Sequence, residues 1–441
     1  MTARRSASPP VTVAVLVLAA VAALAGGWWA AGRVVPVAAP AASAPDRRPA
    51  ATELAARATE LARRWTLVDT HIDLPYRLTE TGESRESIAG RTERGDFDAV
   101  RAREGGLDVA WMSIYVPAAY QESGGAKAFA DTLIDGVEAM AAASPGTFTV
   151  VDTVAEAEAA VAAGLIALPL GIENAAAFED DLANVRHFVG RGVRYATLTH
   201  GKDNRLGDSS YTPPGERTWK GLSPFGREVV AEMNRLGMLV DLSHVSDETF
   251  DDAIEIVTAP PIASHSSCRH FTPGFERNLD DERIARLAAK GGVIQINFGS
   301  SFLTAAANAW SLDAWKAEQA FRTERGAKEG SAELDAFRAD YVEQHPMPRA
   351  TLADVVAHVE HVIEVAGVDH VGLGSDFDGV GPTLPTELAD VSMYPNLIAA
   401  LLARGHPEAD VEKIAGGNLL RVWREAERVA AARSDAPAGG E

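Results

Sequence analysis

The stretch Val68-Asp69-Thr70-His71-Ile72-Asp73-Leu74-Pro75 decides how the rest of the chain is read. Its apolar and β-branched residues form a strand, and His71 and Asp73, two apart, point to the same face of an extended chain. Leu74-Pro75 then ends the extended segment. A strand that finishes in a histidine and a carboxylate on one face can grip a single metal ion at the edge of a sheet.

The pattern repeats along the chain. Short apolar runs lie near Thr66 to Asp73, Leu107 to Tyr115, Leu165 to Glu173, Tyr195 to His200, Met238 to His244, Pro261 to His265, Val293 to Phe298 and Val371 to Asp376. Amphipathic helical segments separate most of them, among them Lys127 to Ala143, Asp180 to Arg191, Pro224 to Leu236, Asp247 to Thr258, Asp280 to Lys290 and Ala353 to Ala366. Alternating strands and helices make βαβ units with a parallel sheet, and eight such units close into a (β/α)8 TIM barrel. An open doubly wound sheet is the alternative. No GxGxxG or P-loop follows any run, which weakens its nucleotide-binding form.

Ionisable residues collect at the C-terminal ends of these runs. Glu173 ends the third, His200 the fourth, His244 the fifth, His265 the sixth and Asp376 the eighth, joining His71 and Asp73 on the rim where barrel enzymes hold their chemistry. One histidine at a strand end is more often a hydrogen-bonded structural residue, and a lone Glu173 or Asp376 could cap the next helix. Several together at the same end favour a site, because each follows an apolar run where an unpaired charge is costly. His71, Asp73, Glu173, His244 and His265 could bind two divalent ions with Glu173 between them. Imidazole and carboxylate without thiolate suit Zn²⁺, with Mn²⁺ or Co²⁺ also compatible. Two ions ~3.5 to 4 Å apart would share and acidify a water that attacks a carbonyl. Asp376 is the carboxylate positioned to take the proton and deliver it to a leaving amine.

Composition narrows the alternatives. The 41 Lys and Arg against 62 Asp and Glu give a net charge of −21, which argues against a nucleic-acid partner. Hydrophobic residues at 46% and charged residues at 23% describe a folded globular chain. Cys268 is alone, so no intrachain disulfide or multi-cysteine zinc site exists.

Residues 1–33 read as an export signal or anchor. Arg4 and Arg5 precede the apolar run Val11 to Gly32, which ends in Trp28 and Trp29. The run is long enough to span a bilayer as a hydrophobic helix, for which about 20 residues suffice. Cleavage near Ala42-Ser43-Ala44 is the competing reading, with the body then secreted. Residues 34–51 are an Ala/Pro-rich flexible linker, 52–433 form the barrel, and 434–441 are a loose tail. Both readings put the barrel outside the cytoplasm, on the cell membrane if the anchor is kept. The long polar-helical insertion between Gly299 and Ala350 shapes the mouth of the barrel or makes an oligomer contact such as a homodimer.

VDTHIDLP (68–75), GIEN (171–174), LTHGKDN (198–204), DLSHVS (241–246), SHSS (264–267), RNLDD (277–281) and GSDFDGV (374–380) occur in that order from about Thr66 to Trp423. As an ordered set they resemble the membrane dipeptidase (renal dipeptidase) family of the metal-dependent amidohydrolase superfamily. The resemblance implies a (β/α)8 barrel that binds two Zn²⁺ and hydrolyses dipeptides by attack of a metal-bridging water. It implies that His71 and Asp73 bind the first zinc, that His244 and His265 bind the second, and that Glu173 bridges. Asp376 corresponds to the proton-handling acid, His200 to the histidine that stabilises the tetrahedral intermediate, and Arg277 to the arginine that holds the substrate's free carboxylate. Asp69 could orient a ligand or be a buried structural residue. Asp378 shares the face of Asp376, and the proton role goes to Asp376 by motif position alone. After Ile296-Asn297-Phe298 the chain has Gly299-Ser300-Ser301-Phe302, where some family members carry a substrate-contacting tyrosine. Two other functions compete: lactone or N-acyl amino acid hydrolysis on the same barrel, and a non-catalytic cell-envelope binding barrel.

Overall fold

The computed structural model describes residues 51–434 other than residue 329. The expected hydrophobic N-terminal helix, nearly all of the linker and most of the tail lie outside the described residues. Among the described residues no helix is long and apolar enough to cross a membrane.

Among the described residues there are ten strands: β1 (Leu67–Ile72), β2 (Leu107–Tyr115), β3 (Phe148–Val150), β4 (Ile166–Leu168), β5 (Leu170–Glu173), β6 (Val193–Thr197), β7 (Leu239–Asp241), β8 (Ile262–Ser266), β9 (Val293–Ile296) and β10 (Val371–Leu373). Every ladder between them is parallel. The hydrogen-bonded order β1-β2-β5-β6-β7-β8-β9-β10 returns to β1 through a parallel bridge between Ile72 and Phe377. Asp73 N donates to Phe377 O at 2.9 Å and Asp376 N to His71 O at 3.2 Å across that seam. The fold is therefore a parallel α/β barrel of the TIM type, and the open sheet is excluded.

The third expected strand is two. Pro169 has no N–H to continue a ladder, so the run divides into β4 and β5, although its carbonyl still accepts from Met112 N at 2.9 Å. β2 flanks both pieces. On the other side β4 meets the short β3, which the sequence reading missed, and β5 meets β6.

Helices start where short polar side chains satisfy free N–H groups: Ser223 caps Pro224–Leu236, Ser246 caps Asp247–Ile256 and Asp280 caps Asp281–Ala289. The sequence pattern of Val411 to Ala432 predicts one continuous helix, but the segment is broken into Glu408–Glu412, a wide turn Lys413–Gly417 and Asn418–Ser434. Gly416 explains the break: it lies against β1, where a Cβ would stand 2.3 Å from Thr66 O. The last helix covers the N-terminal end of the barrel, and its buried Trp423 packs on Trp111 with ring centroids 4.8 Å apart. The insertion forms a helical hairpin, Ala305–Arg325 and Ala332–Gln344, held by stacked Phe321 and Phe337. All the expected site residues lie at the opposite, C-terminal end of the strands.

Candidate metal and catalytic centre

Glu173, the last residue of β5, stands at the middle of the rim. Its Oε1 lies 2.9 Å from His244 Nε2, 3.2 Å from His265 Nε2 and 3.5 Å from His200 Nε2. Its Oε2 lies 3.5 Å from His71 Nε2, which is 3.5 Å from Asp73 Oδ2. Ligand atoms of His71, Glu173 and His265, of Glu173, His200 and His244, and of His71, Asp73 and Asp376 fall within 4.8 Å of one another in each trio. All seven rim residues are thus brought together.

The backbone turns sharply to present them. His244, Asp376 and Asp378 have φ of 65°, 64° and 66°, and Asn174, just after Glu173, has 73°. Left-handed backbone is uncommon outside glycine, although His, Asp and Asn adopt it more readily than other residues, and it recurs at functional sites.

Two rings are held from behind. Tyr195 Oη donates to Thr70 O at 3.1 Å, so its lone pair receives His71 Nδ1–H at 2.9 Å and His71 Nε2 is left facing the site. Tyr195 lies across β5 at Gly171, where any Cβ would stand 2.0 Å from the ring. His265 Nδ1 donates to Ser264 Oγ at 2.7 Å, and Ser264 Oγ donates to Asp241 Oδ2 at 2.5 Å.

Electrostatics at the rim call for cations. Burial holds the His244 and His265 imidazoles well below their usual pKa, with the Arg277 charge adding to it, so both are neutral. Their Nε2 atoms nevertheless face each other at 2.8 Å, a contact that needs a proton or a cation between lone pairs. Burial opposes ionisation of Glu173, but the facing His200, His71, His244 and His265 keep its carboxyl well below the usual range. His71 is driven up, against burial, by Tyr195, Asp73 and Glu173. Burial pushes the Asp376 carboxyl up to about 7, with His71 opposing and Asp73 and Glu173 adding; Asn297 Nδ2 donates to its Oδ2 at 2.7 Å. His71 Nε2, Asp73 Oδ1 and His244 Nδ1 are buried with no hydrogen-bond partner. Buried donor atoms of this kind, all nitrogen and oxygen, fit divalent metal ions.

A cavity of about 410 Å³ opens over these groups, within the range of small-molecule sites. Tyr76, Tyr115, Tyr211 and Phe302 form aromatic parts of its wall. Arg277 lies beside that wall, 2% exposed, with its guanidinium 5.1 Å from the Phe302 ring centroid. It donates to Ser266 Oγ at 2.7 Å and to His265 O at 2.9 Å, while Nε has no partner. A buried guanidinium bonded only to neutral oxygens is a place for an anion.

Asp69 and Asp378 turn out to be structural. Asp69 accepts from His71 N at 2.9 Å, from Ser375 N at 3.2 Å and from the Tyr394 hydroxyl, which ties β1 to the segment after β10. Asp378 takes both 2.8 Å bonds from Arg77 Nη1 and one from Asp96 N. Asp376, not Asp378, faces His71 and Asp73. Sequence reasoning missed Tyr195, Tyr115 and the Ser264–Asp241 pair. Tyr115 ends the second run and Ser264 and Asp241 lie inside quoted motifs, so position at a strand end was an available signal; Tyr195 offered none.

A TIM-type barrel whose C-terminal rim holds buried histidines around a shared carboxylate is a metal-dependent hydrolase. Residues 55–436 match the model of the membrane dipeptidase family, peptidase family M19, and the chain belongs to that family. It is a metallo-dipeptidase. Two Schizosaccharomyces pombe proteins described as uncharacterised dipeptidases are similar, one 35% identical over 390 residues, covering 85% of this chain and 83% of its own, the other 34% identical over 374 residues, covering 82% and 81%. Among solved structures, a probable dipeptidase from Pseudomonas aeruginosa is 25% identical with a TM-score of 0.74, covering 86% of this chain and 100% of its own. A metallopeptidase from Rhodobacter sphaeroides, liganded with a phosphinate mimic of L-Ala-D-Ala, is 27% identical with a TM-score of 0.67, covering 82% and 99%.

Proposed function

We propose that the chain cleaves dipeptides with a pair of zinc ions held by His71 and Asp73 on one side and by His244 and His265 on the other, with Glu173 between them. The observation that carries this reading is Glu173 itself, whose Oε1 faces His244 and His265 while its Oε2 faces His71. When bound, such ions supply Lewis acidity, lowering the pKa of water and polarising a carbonyl. The remaining work falls to side chains. Arg277 holds the substrate's free carboxylate, and His200 donates a hydrogen bond to the oxygen that gains charge as the carbonyl is attacked. Asp376, whose carboxyl burial raises to about 7 in the metal-free site, accepts a proton from the attacking water and returns it to the leaving amine. The phosphinate ligand of the Rhodobacter sphaeroides neighbour supports a dipeptide at this rim, a phosphinate resembling the tetrahedral stage of hydrolysis.

The test is a dipeptide panel with L and D residues, run after chelation and after refilling with zinc. Glu173→Gln is expected to lose both metal and activity. Equal metal content in wild type and Glu173→Gln sinks the bridging role, and an inactive zinc-loaded wild type across the panel sinks the zinc reading. The reading of residues 1–33 as an export signal or membrane anchor is carried by sequence pattern, and cell fractionation checks it. A homodimer through the hairpin, which exposes Leu312 and Trp315, is checked by the mass of the purified protein in solution.

A further inference from the structure

Away from the rim, a second kind of donor set stands on the outside of the barrel. His270 lies in the turn Arg269–Phe271 after β8, Asp281 is the first residue of helix Asp281–Ala289, and His361 lies in helix Leu352–Ala366. One ligand atom from each falls within 4.8 Å of the others. His361 Nε2 and Asp281 Oδ1 are 2.7 Å apart, and the His270 ring stacks on His361 with centroids at 4.3 Å and planes 30° apart. Phe271 meets both rings, edge-on to His270 at 4.9 Å and to His361 at 5.6 Å. The His361 side chain is 10% exposed and that of Asp281 55%, so the set is anchored on one side and open to solvent on the other.

We propose that His270, Asp281 and His361 form a separate binding site for one borderline divalent cation of the zinc type. Two imidazoles and one carboxylate match Zn²⁺, Ni²⁺ or Cu²⁺, whereas Ca²⁺ and Mg²⁺ require oxygen donors. Four-coordinate zinc with bonds of ~2.0 to 2.1 Å spaces its ligand atoms ~3.3 Å apart. The hydrogen-bonded His361–Asp281 pair therefore opens by roughly half an ångström and His270 swings inward, both within reach of side chains at a solvent-facing surface. The ion takes the place of the hydrogen between His361 Nε2 and Asp281, which in the neutral ring moves by way of solvent to His361 Nδ1, and water completes the coordination. The consequence is mechanical: His270 and Asp281 bracket the segment that carries Arg277, so an ion here ties that segment to helix Leu352–Ala366 at its two ends.

This site does not depend on the reading of the rim, because the two are separated by position. The experiment is anomalous diffraction at the zinc edge, with zinc titration of the protein in solution. With excess zinc, a peak is expected among His270, Asp281 and His361 in addition to any at Glu173. The double variant His270→Ala/His361→Ala is expected to abolish that peak and weaken the corresponding binding step at least about tenfold, while metal at the rim and dipeptide turnover persist. Asp281→Asn keeps a hydrogen-bond partner for His361 and is expected to weaken the same step. No peak at saturating zinc, or unchanged titration in the double variant, overturns the proposal. Loss of peaks at Glu173 alone counts against the dipeptidase centre and leaves this one standing.

Discussion

Asp376 and Tyr195 show two ways in which one side chain matters at this rim. Asp376 is a buried carboxyl facing two other carboxylates, and burial with their repulsion raises it to about 7, near the point where it can both take and give a proton. Asp376→Asn keeps the shape and the hydrogen-bonding capacity toward Asn297 but removes the titrating group. Turnover is expected to fall by about 10²- to 10⁴-fold with metal content unchanged; a fall of less than tenfold in kcat removes Asp376 from the proton role. Tyr195 acts through His71 by fixing which ring nitrogen faces the site. Tyr195→Phe is expected to cost about 10- to 100-fold in zinc affinity, as loss of a hydrogen bond behind a ligand generally does, with kcat at saturating zinc changed far less. A chelator-competition titration checks it, and unchanged affinity refutes it. The rim residues were legible in sequence because each is an ionisable group ending an apolar run. Tyr195 was not, because it sits 124 residues from its partner and reads as an ordinary apolar position within its strand.

At the scale of elements, the joints between strands and helices hold the remaining surprises. Pro169 divides one expected strand because it lacks an N–H, a break its residue type could have signalled, whereas Gly416 divides one expected helix through a close contact with a distant segment that local pattern does not encode. Strand and helix existence followed periodicity well; the three-residue β3 was too short to give any. One joint has a pH signature. His358, in helix Leu352–Ala366, accepts Cys268 N at 3.0 Å on Nδ1 and donates from Nε2 to Leu303 O at 3.0 Å, linking that helix to the segments after β8 and β9. Burial lowers it from 6.5 to about 4, because protonation strands a charge and destroys the Nδ1 acceptor. Between these values the unfolded chain binds a proton that the folded chain does not. The stability contribution is therefore whole above pH 6.5 and is lost as pH falls toward 4, by roughly 3 kcal/mol at about 1.4 kcal/mol per unit. His358→Gln, which does not titrate, is expected to lack this part of the acid-side loss in denaturant melts from pH 7 to 4. Parallel pH profiles for the two proteins would remove His358 as its source.

For the whole molecule, chemistry at one end of the barrel rests on packing at the other. Few of the 62 acidic residues belong to the rim, and the −21 charge is mostly solvated surface, so net charge says little about the site. The floor says more. Trp423 of the last helix is fully buried against Trp111, Trp111 stacks on Tyr195 at 5.1 Å, and Tyr195 holds His71. Such a column transmits a loss of packing only as far as its members can shift, and a close-packed interior resists shifting. Trp423→Ala removes the lowest ring and is expected to cost about 3 to 5 kcal/mol of stability in the metal-free protein, by lost burial and the cavity left behind. Tyr195 keeps its bond to Thr70 O and its contact across Gly171, so His71 stays aligned in the folded molecules. Zinc affinity of folded Trp423→Ala is accordingly expected to fall by less than that of Tyr195→Phe, although the former is the more disruptive change. Denaturant unfolding without metal, paired with zinc titration well below the unfolding midpoint, separates the two effects. A larger affinity loss in Trp423→Ala than in Tyr195→Phe would mean that the covering helix, and not the hydrogen bond behind His71, sets the geometry of the metal centre.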